Sequence, residues 1–222
     1  MFFDKIFQLY KGQEKINLDD LRQIFDSQKE TLIKRGIGAT LGLDDFAKPD
    51  AELYLEKETE NAWQRLKEAT VNISFKPFGK IPLLLVMHFP NIKEGIEKIQ
   101  GHTELDLQKI KSEPSKNFCD ILLDVEDGQK MIAKSPKDAL KKLEKENRQA
   151  LNINESTALL THYPDILKNH YVISAGSFYT TKDNESLPLL WLLDEHGNPE
   201  LHYAWFHIAH GSYGTASYTT RI

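Results

Sequence analysis

Histidine is the residue type with the clearest chemical potential in this chain, because imidazole exchanges protons near neutral pH and binds metals. Five of the eight histidines lie between residues 169 and 219: His170, His196, His202, His207 and His210. A zinc site needs three or four ligands that converge on one point. On a regular strand His202 and His207 face opposite sides, and His202 and His210 lie roughly 26 Å apart at about 3.3 Å per residue. The spacing therefore predicts no metal site and no cofactor.

Hydroxyl groups and aromatic rings accompany these histidines. Ser177 follows Gly176, but there is no G-x-S-x-G nucleophile elbow. The glycine-rich turn 210–215 lacks the lysine of a phosphate loop and precedes a strand rather than a helix. A turn of this kind can still form one wall of a binding site. The candidate pocket or binding surface consists of His170, Ser177, Trp205, His207, His210, Ser212 and Tyr213.

Acidic residues form a second pattern, in the segment FCDILLDVEDG. If this strand is regular, Asp120, Asp124 and Glu126 project from one face. Such acids can perform acid–base chemistry or hold a hard cation, but a solvated sheet face or a strand end is the commoner arrangement, and we predict it here. Cys119 lies in the same apolar run, which predicts a buried and inert thiol.

Composition limits the function classes. The chain has 222 residues, 40% hydrophobic and 27% charged, which is typical of a soluble globular protein. The net charge is −5, and Lys182 is the only basic side chain between residues 169 and 219, so stacking of the aromatic rings on nucleic acid is not predicted. No apolar run approaches the roughly 18 residues of a membrane span. The single cysteine excludes an intrachain disulfide and favours a cytoplasmic location.

Helical periodicity dominates the first seventy residues. Asn17 is placed to cap a helix with apolar positions at Leu18, Leu21, Phe25 and Leu32, and glycines at 36 and 38 end it. A second helix follows Pro49, and residues 36–50 are the predicted hinge. Later helix starts carry capping patterns, at Ser135-Pro136 with Asp138 and at Asn152 with Glu155.

Strand patterns fill most of the remaining chain. VNISFKPF alternates, IPLLLVMHF reads as a central strand buried on both faces, and FCDILLDVEDG reads as a second buried strand that ends in a turn. Residues 187–193 and 201–208 predict a hairpin, and 215–219 predict a last strand. The layout is α+β, with a mixed, mostly antiparallel sheet of about five or six strands, inserted helices and an N-terminal helical region. We expect a single domain over 1–222, with a helical part at 1–70 and a sheet-containing core at 71–222.

The order of several segments resembles an uncharacterised bacterial family of unknown function, over roughly residues 81–219. The matching pieces are IPLLLV, LLDVEDG, SPKDAL, NESTALLTHYPDILKNHYVISAGS, LPLLWL and YAWFHIAHGSYGTAS. The kept positions include Asn169, His170, Gly176, Ser177, Trp191, Trp205, His210, Gly214, Ala216 and Ser217. The chain departs from the family pattern at Tyr203 and at 207–209. The resemblance implies one compact fold and carries no activity.

Three functional hypotheses follow, with a non-enzymatic protein favoured over an enzyme. The leading one is a soluble binding or interaction protein for an unidentified small molecule or protein, because the aromatic, histidine-bearing segment lacks a catalytic motif. The second is an enzyme in which His170, Ser177 and His210 meet in a cleft. The third is self-association as a homo-oligomer, since Trp191 and Trp205 lie on strands that must be covered or remain an exposed patch. Neither nucleic acid nor membrane is an expected partner.

Overall fold

The computed structural model describes residues 18–37, 48–70, 79–180, 185–192 and 197–222, and these have the predicted α+β architecture. The α-helices are α1 (Leu18–Lys34), α2 (Lys48–Thr70), α3 (Ile92–Lys98), α4 (Pro136–Lys145) and α5 (Ile153–His162). Within the described residues, short 3-10 helices cover Leu107–Lys109, Gln129–Met131 and Pro164–Lys168. The strand predicted at 71–78 and the cap predicted at Asn17 lie outside the described residues.

The strands divide among three sheets. They are β1 (Ile81–Met87), β2 (Ile110–Ser112), β3 (Cys119–Val125), β4 (Gln149–Ala150), β5 (Tyr171–Ile173), β6 (Ser177–Thr180), β7 (Glu185–Leu192), β8 (Pro199–Trp205), β9 (Tyr213–Thr215), β10 (Ser217–Tyr218) and β11 (Thr220–Arg221). One sheet has the order β1-β3-β11, a second pairs β10 with β4, and the largest has the order β2-β6-β7-β5-β9 with β8 on β7. Only the β5–β9 pair within these sheets is parallel, as far as the described residues show.

The β1–β3 pair forms the middle layer, and both of its faces are buried, which confirms the prediction for β1. Leu83 and Leu85 pack with α1 and α2, whereas Leu84 and Val86 pack with α5 and the largest sheet. Alternation along a strand explains this division, because successive side chains point to opposite faces. The N-terminal helices therefore share a core with the sheet. Gly36, at φ 64°, follows the end of α1 as expected, and most of the predicted hinge lies outside the described residues.

Two predicted strands have different limits in the structure. β8 pairs with β7 over its full length but ends at Trp205, because the carbonyl of Phe206 leaves the ladder and accepts from Lys137 N at 3.1 Å. The strand predicted at 215–219 is broken into short pieces. β9 pairs with β5, β10 with β4, and β11 with β3, so the chain changes partner twice within nine residues.

The prediction of a solvated face for Asp120, Asp124 and Glu126 is wrong. All three are at most 1% exposed. β3 is irregular at Asp124, which has φ 55° and accepts from Gly79 N at 2.5 Å and from Arg148 Nη1 at 2.5 Å. Buried carboxylates of this kind persist only with hydrogen-bonding partners.

Glu126 follows β3 and caps the next turn. Its carboxylate accepts from Gly128 N at 3.0 Å and from Lys130 N at 3.0 Å. Burial raises the pKa of Glu126 to about 7, and the adjacent Asp127 adds to the rise. An acid whose pKa is raised on folding stabilises the folded state at low pH, and this contribution is lost as the pH rises through the folded-state pKa.

We therefore expect the stability of the wild type to fall by about 2 kcal/mol relative to Glu126→Gln between about pH 5 and 7.5, since one pKa unit is worth about 1.4 kcal/mol. Urea unfolding at several pH values measures this difference. Glu144→Gln, at an exposed position, is the matched control and should parallel the wild type. Parallel stability curves for wild type and Glu126→Gln would show that Glu126 titrates normally.

Candidate functional site

A cavity of about 710 Å³ opens where the largest sheet meets the β4–β10 pair and the start of α5. Its walls come from β2, β4, β6, β10 and β11 and from the residues that begin α5. This volume lies in the range of small-molecule sites. Its most informative side chains are Lys111, Gln149, Asn152, Glu155, Phe178, Tyr218 and Arg221.

Strand pairing sets these side chains opposite one another. Gln149 pairs with Tyr218 across β4–β10, and the Tyr218 hydroxyl donates to Gln149 Oε1 at 2.6 Å. Lys111 pairs with Phe178 across β2–β6. Lys111 and Phe178 are both exposed, Phe178 to 51%, and they form the rim of the cavity.

Gly176 and Ser177 hold two parts of the wall together. A Cβ atom on Gly176 would lie 2.7 Å from the carbonyl oxygen of Ala150, so only glycine permits this approach. The Ser177 hydroxyl accepts from Ile153 N at 2.9 Å and hydrogen-bonds the Ser112 hydroxyl. Ser177, a predicted site residue, is therefore a buried link between α5 and the sheet, flanked by two cavity-lining residues.

The start of α5 opens onto the cavity. The predicted capping box is confirmed, because Asn152 Oδ1 accepts from Glu155 N at 3.0 Å and Glu155 Oε2 accepts from Asn152 N at 2.7 Å. Both residues line the cavity and are at most 6% exposed. The positive end of the α5 dipole thus faces this space.

Arg221 is the central charged group of the site. β11 pairs with β3 and carries its guanidinium to the cavity, where Nη2 donates to the Glu155 carboxylate and to the Tyr218 hydroxyl at 2.8 Å. The guanidinium carbon lies 5.5 Å from the centre of the Tyr218 ring. Arg221 Nε is 3.9 Å from Asp120 Oδ2. One cation therefore bridges two buried carboxylates.

Asp120 has its own set of donors. Its Oδ2 accepts from His88 Nε2 at 2.8 Å and from the Ser115 hydroxyl at 2.7 Å, and its Oδ1 accepts from Asn117 Nδ2 at 2.8 Å. These bonds hold the carboxylate ionised behind Arg221.

The two carboxyl groups have pKa values shifted in opposite directions. Burial raises the pKa of Glu155, and the charge of Arg221 opposes this rise. Burial also acts to raise the pKa of Asp120, but hydrogen bonds, with that from His88 the largest, outweigh it and lower the pKa. Burial raises the pKa of Tyr218 to about 12, so its hydroxyl stays protonated at neutral pH. Acids with pKa values driven apart are an arrangement that acid–base catalysis uses.

The predicted site residues His170 and His210 do not line this cavity. His170 is 2% exposed, and its Nε2 donates to the carbonyl of Asp127 at 2.9 Å. His210 is exposed, its Nδ1 accepts from Ser212 N at 3.2 Å, and its ring stacks on Tyr213 at 4.1 Å between centroids. Within the described part of the chain, no hydrogen bond joins His170, Ser177 and His210 to one another. Their shared cleft stays a prediction.

The other predicted residues lie between the end of β8 and the start of β9. Trp205 is 38% exposed, with its ring 5.4 Å from that of Tyr203. His207 is exposed and makes an edge contact with Phe206 at 5.0 Å. The ring centroid of Tyr213 lies 5.9 Å from that of Tyr171, on the neighbouring strand β5. These residues form a surface separate from the residues that line the cavity.

Sequence reasoning missed Arg221 and the acids that face it. Arg221 lies at the end of the chain in no motif, and Glu155 was recognised only as a helix cap. The one available signal was the position of Asp120 inside an apolar run, where an ionised side chain requires partners. Cys119 is buried as predicted, and burial raises the pKa of its thiol. Among the described residues, no group of three or more His, Cys, Asp or Glu side chains is arranged to hold a metal ion.

The fold and site define an α+β protein with a buried network of ionisable groups beneath an open cavity. The sequence matches the family of unknown function DUF5701 over residues 31–222, and the chain belongs to that family. The match begins within α1, well before the region of the resemblance noted from the sequence. No curated protein and no solved structure matches the chain. In the described part of the chain, every helix is too short or too polar to cross a bilayer.

Proposed function

We propose that this protein binds a small molecule in the cavity beside Arg221. The observation that carries this proposal is a buried, charged floor in contact with open space. Asp120 and Glu155 are not exposed, whereas the side chain of Arg221 is 30% exposed and lines the cavity. Burying carboxylates with a cation is costly, and replacement of a whole buried ion pair or triad by apolar residues is often neutral for stability, so function is a reason to retain this one.

The rim supports the same proposal. Phe178 leaves half of its surface in water beside this polar floor, although an aromatic ring is usually buried. A ligand lying against it would cover the ring while its polar end reaches the floor. Binding sites commonly combine apolar walls with a few convergent polar groups.

We expect Phe178→Ala to weaken the binding of aromatic fragments about three- to tenfold, since an aromatic pair contributes about 0.5–1.5 kcal/mol. The measurement is a fragment titration followed by NMR on isotope-labelled protein. Ile208→Ala is the matched control, because Ile208 is 56% exposed and does not line the cavity. If no fragment shifts the resonances of cavity-lining residues, the proposed function is wrong.

An acid–base enzyme is the second candidate, and the opposed pKa shifts of Asp120 and Glu155 favour it. It uses different residues from the cleft of His170, Ser177 and His210. The discriminating observation is the fate of a bound ligand. Recovery of the ligand unchanged after long incubation favours a binding protein, and a chemically altered product favours an enzyme.

The number of domains, the cellular location and the oligomeric state are proposals from the sequence. A single domain over 1–222 is supported by the core that α1 and α2 share with β1 and β3. A bacterial, cytoplasmic setting is supported by the single, buried Cys119 and by the family resemblance. Self-association through the exposed segment around Trp205 is a further proposal, and light scattering tests it.

A further inference from the structure

We infer that the cavity recognises an anionic group, a carboxylate or a phosphate, carried on a flat or apolar body. This inference rests on the proposed binding function and assigns the ligand's chemical class. The anion would lie against Arg221, Asn152 and Gln149, and the apolar body would lie against Phe178.

Three hydrogen-bond donors that line the cavity have no partner among the described residues. Arg221 uses both hydrogens of Nη2, while Nη1 has no partner among these residues. Asn152 is 6% exposed and uses Oδ1 to cap α5, but Nδ2 has no partner there. Gln149 accepts through Oε1 from Tyr218 and leaves Nε2 unused. All three unused groups are donors, and donors are satisfied by an oxygen-rich or anionic ligand.

These donors lie near one another. The Tyr218 hydroxyl is 2.6 Å from Gln149 Oε1 and 2.8 Å from Arg221 Nη2, so one hydroxyl separates the amide from the guanidinium. Glu155 touches both Arg221 and the backbone of Asn152. The three groups are therefore linked through Tyr218 and Glu155 along one side of the cavity, with Asn152 buried and Gln149 exposed.

The charges that face this side of the cavity also favour an anion. Asp120 is buried behind Arg221, whereas Glu155 lines the cavity with both carboxylate oxygens engaged, Oε1 by Arg221 and Oε2 by Asn152 N. The accessible cations are Arg221 and, at the rim, Lys111, whereas Glu113 is an exposed acid at the same rim. The N-terminal end of α5 adds a partial positive charge, while its Ile153 and Glu155 N–H groups are already bound by Ser177 and Asn152.

The test uses four probes on the full chain: benzoate, benzamide, benzamidinium and inorganic phosphate. Benzoate, benzamide and benzamidinium share a flat ring and differ in charge. We expect benzoate to bind about tenfold more tightly than benzamide, because hydrogen bonds to an ionised acceptor are about twice as strong as neutral ones. Benzamidinium should bind most weakly. Displacement of benzoate by phosphate assigns the anion as a phosphate-type group, and failure to displace it assigns a carboxylate.

Benzoate binding by a variant of Gln149 provides a second, independent test. Gln149→Glu keeps the acceptor for Tyr218 but replaces the unused donor with a negative charge, so benzoate affinity should fall at least about tenfold. Gln64→Glu makes the same change on the exposed face of α2 and should leave affinity unchanged. If benzamide or benzamidinium binds in the cavity as tightly as benzoate, the anion inference is overturned while the binding function stands. If none of the three ring probes perturbs the cavity, both fail.

Discussion

Replacing Arg148 by Met is expected to lower the free energy of unfolding by about 3–5 kcal/mol, the usual cost of removing one partner of a buried ion pair. Arg148 and Asp124 are each 1% exposed, with Nη1 and Oδ2 2.5 Å apart. Arg148 also donates to the Asp124 carbonyl at 2.5 Å and to Ser217 Oγ at 3.0 Å. The substitution leaves Asp124 buried without its cation, and urea unfolding measures the loss.

Two further variants separate charge from packing. Lys145→Met makes a comparable change at an exposed position near the end of α4 and should alter stability by less than about 0.5 kcal/mol. Asp124→Asn combined with Arg148→Met should recover part of the loss, because no unpaired charge remains and asparagine tolerates the φ of 55° at this position. A cost for Arg148→Met no larger than that of Lys145→Met would contradict the assigned role.

Replacing Gly214 by Ala should cost about 3 kcal/mol, at the upper end of overpacking penalties, because the obstacle is backbone rather than a movable side chain. A Cβ atom on Gly214 would lie 2.7 Å from the carbonyl carbon of Gly128 and closer still to its oxygen. This contact joins β9 to the turn after β3. Thermal unfolding measures the effect.

The neighbouring Gly211 supplies the control. A Cβ atom there would have no atom of the surroundings within 4 Å, so Gly211→Ala should leave stability nearly unchanged. Gly211 lies in the turn that leads into β9 and Gly214 within β9, so the same substitution three residues apart compares an open position with a packed one. Equal melting temperatures for the two variants would show that the Gly128–Gly214 contact is not a constraint.

Local signals predicted most of the elements. The capping patterns at Ser135 and Asn152 located the starts of α4 and α5, because a cap depends on residues three apart in the chain. Apolar runs identified β1 and β3, since a strand buried on both faces has no polar alternation. The end of β8 and the division of the last strand were not predictable in this way, because they depend on which distant strand each segment joins.

The residues of the candidate site depend even more on contacts between distant parts of the chain, and the sequence did not predict them. The residues chosen from the sequence were the histidine, serine and aromatic residues of one segment. The structure places His170 and Ser177 in the interior and Trp205, His207 and His210 on the surface. The groups that meet beside the cavity come from positions 88, 120, 155 and 221.

By itself, the sequence determined the α+β class, the buried strands and the capped helices, since these depend on periodicity and on contacts between neighbours in the chain. Only the tertiary structure decided that Asp120 and Glu155 are buried and that Arg221 joins them. The physical reason is that a buried ionisable group needs a partner, and Arg221 lies 66 residues from Glu155 along the chain, so no local pattern records this pair.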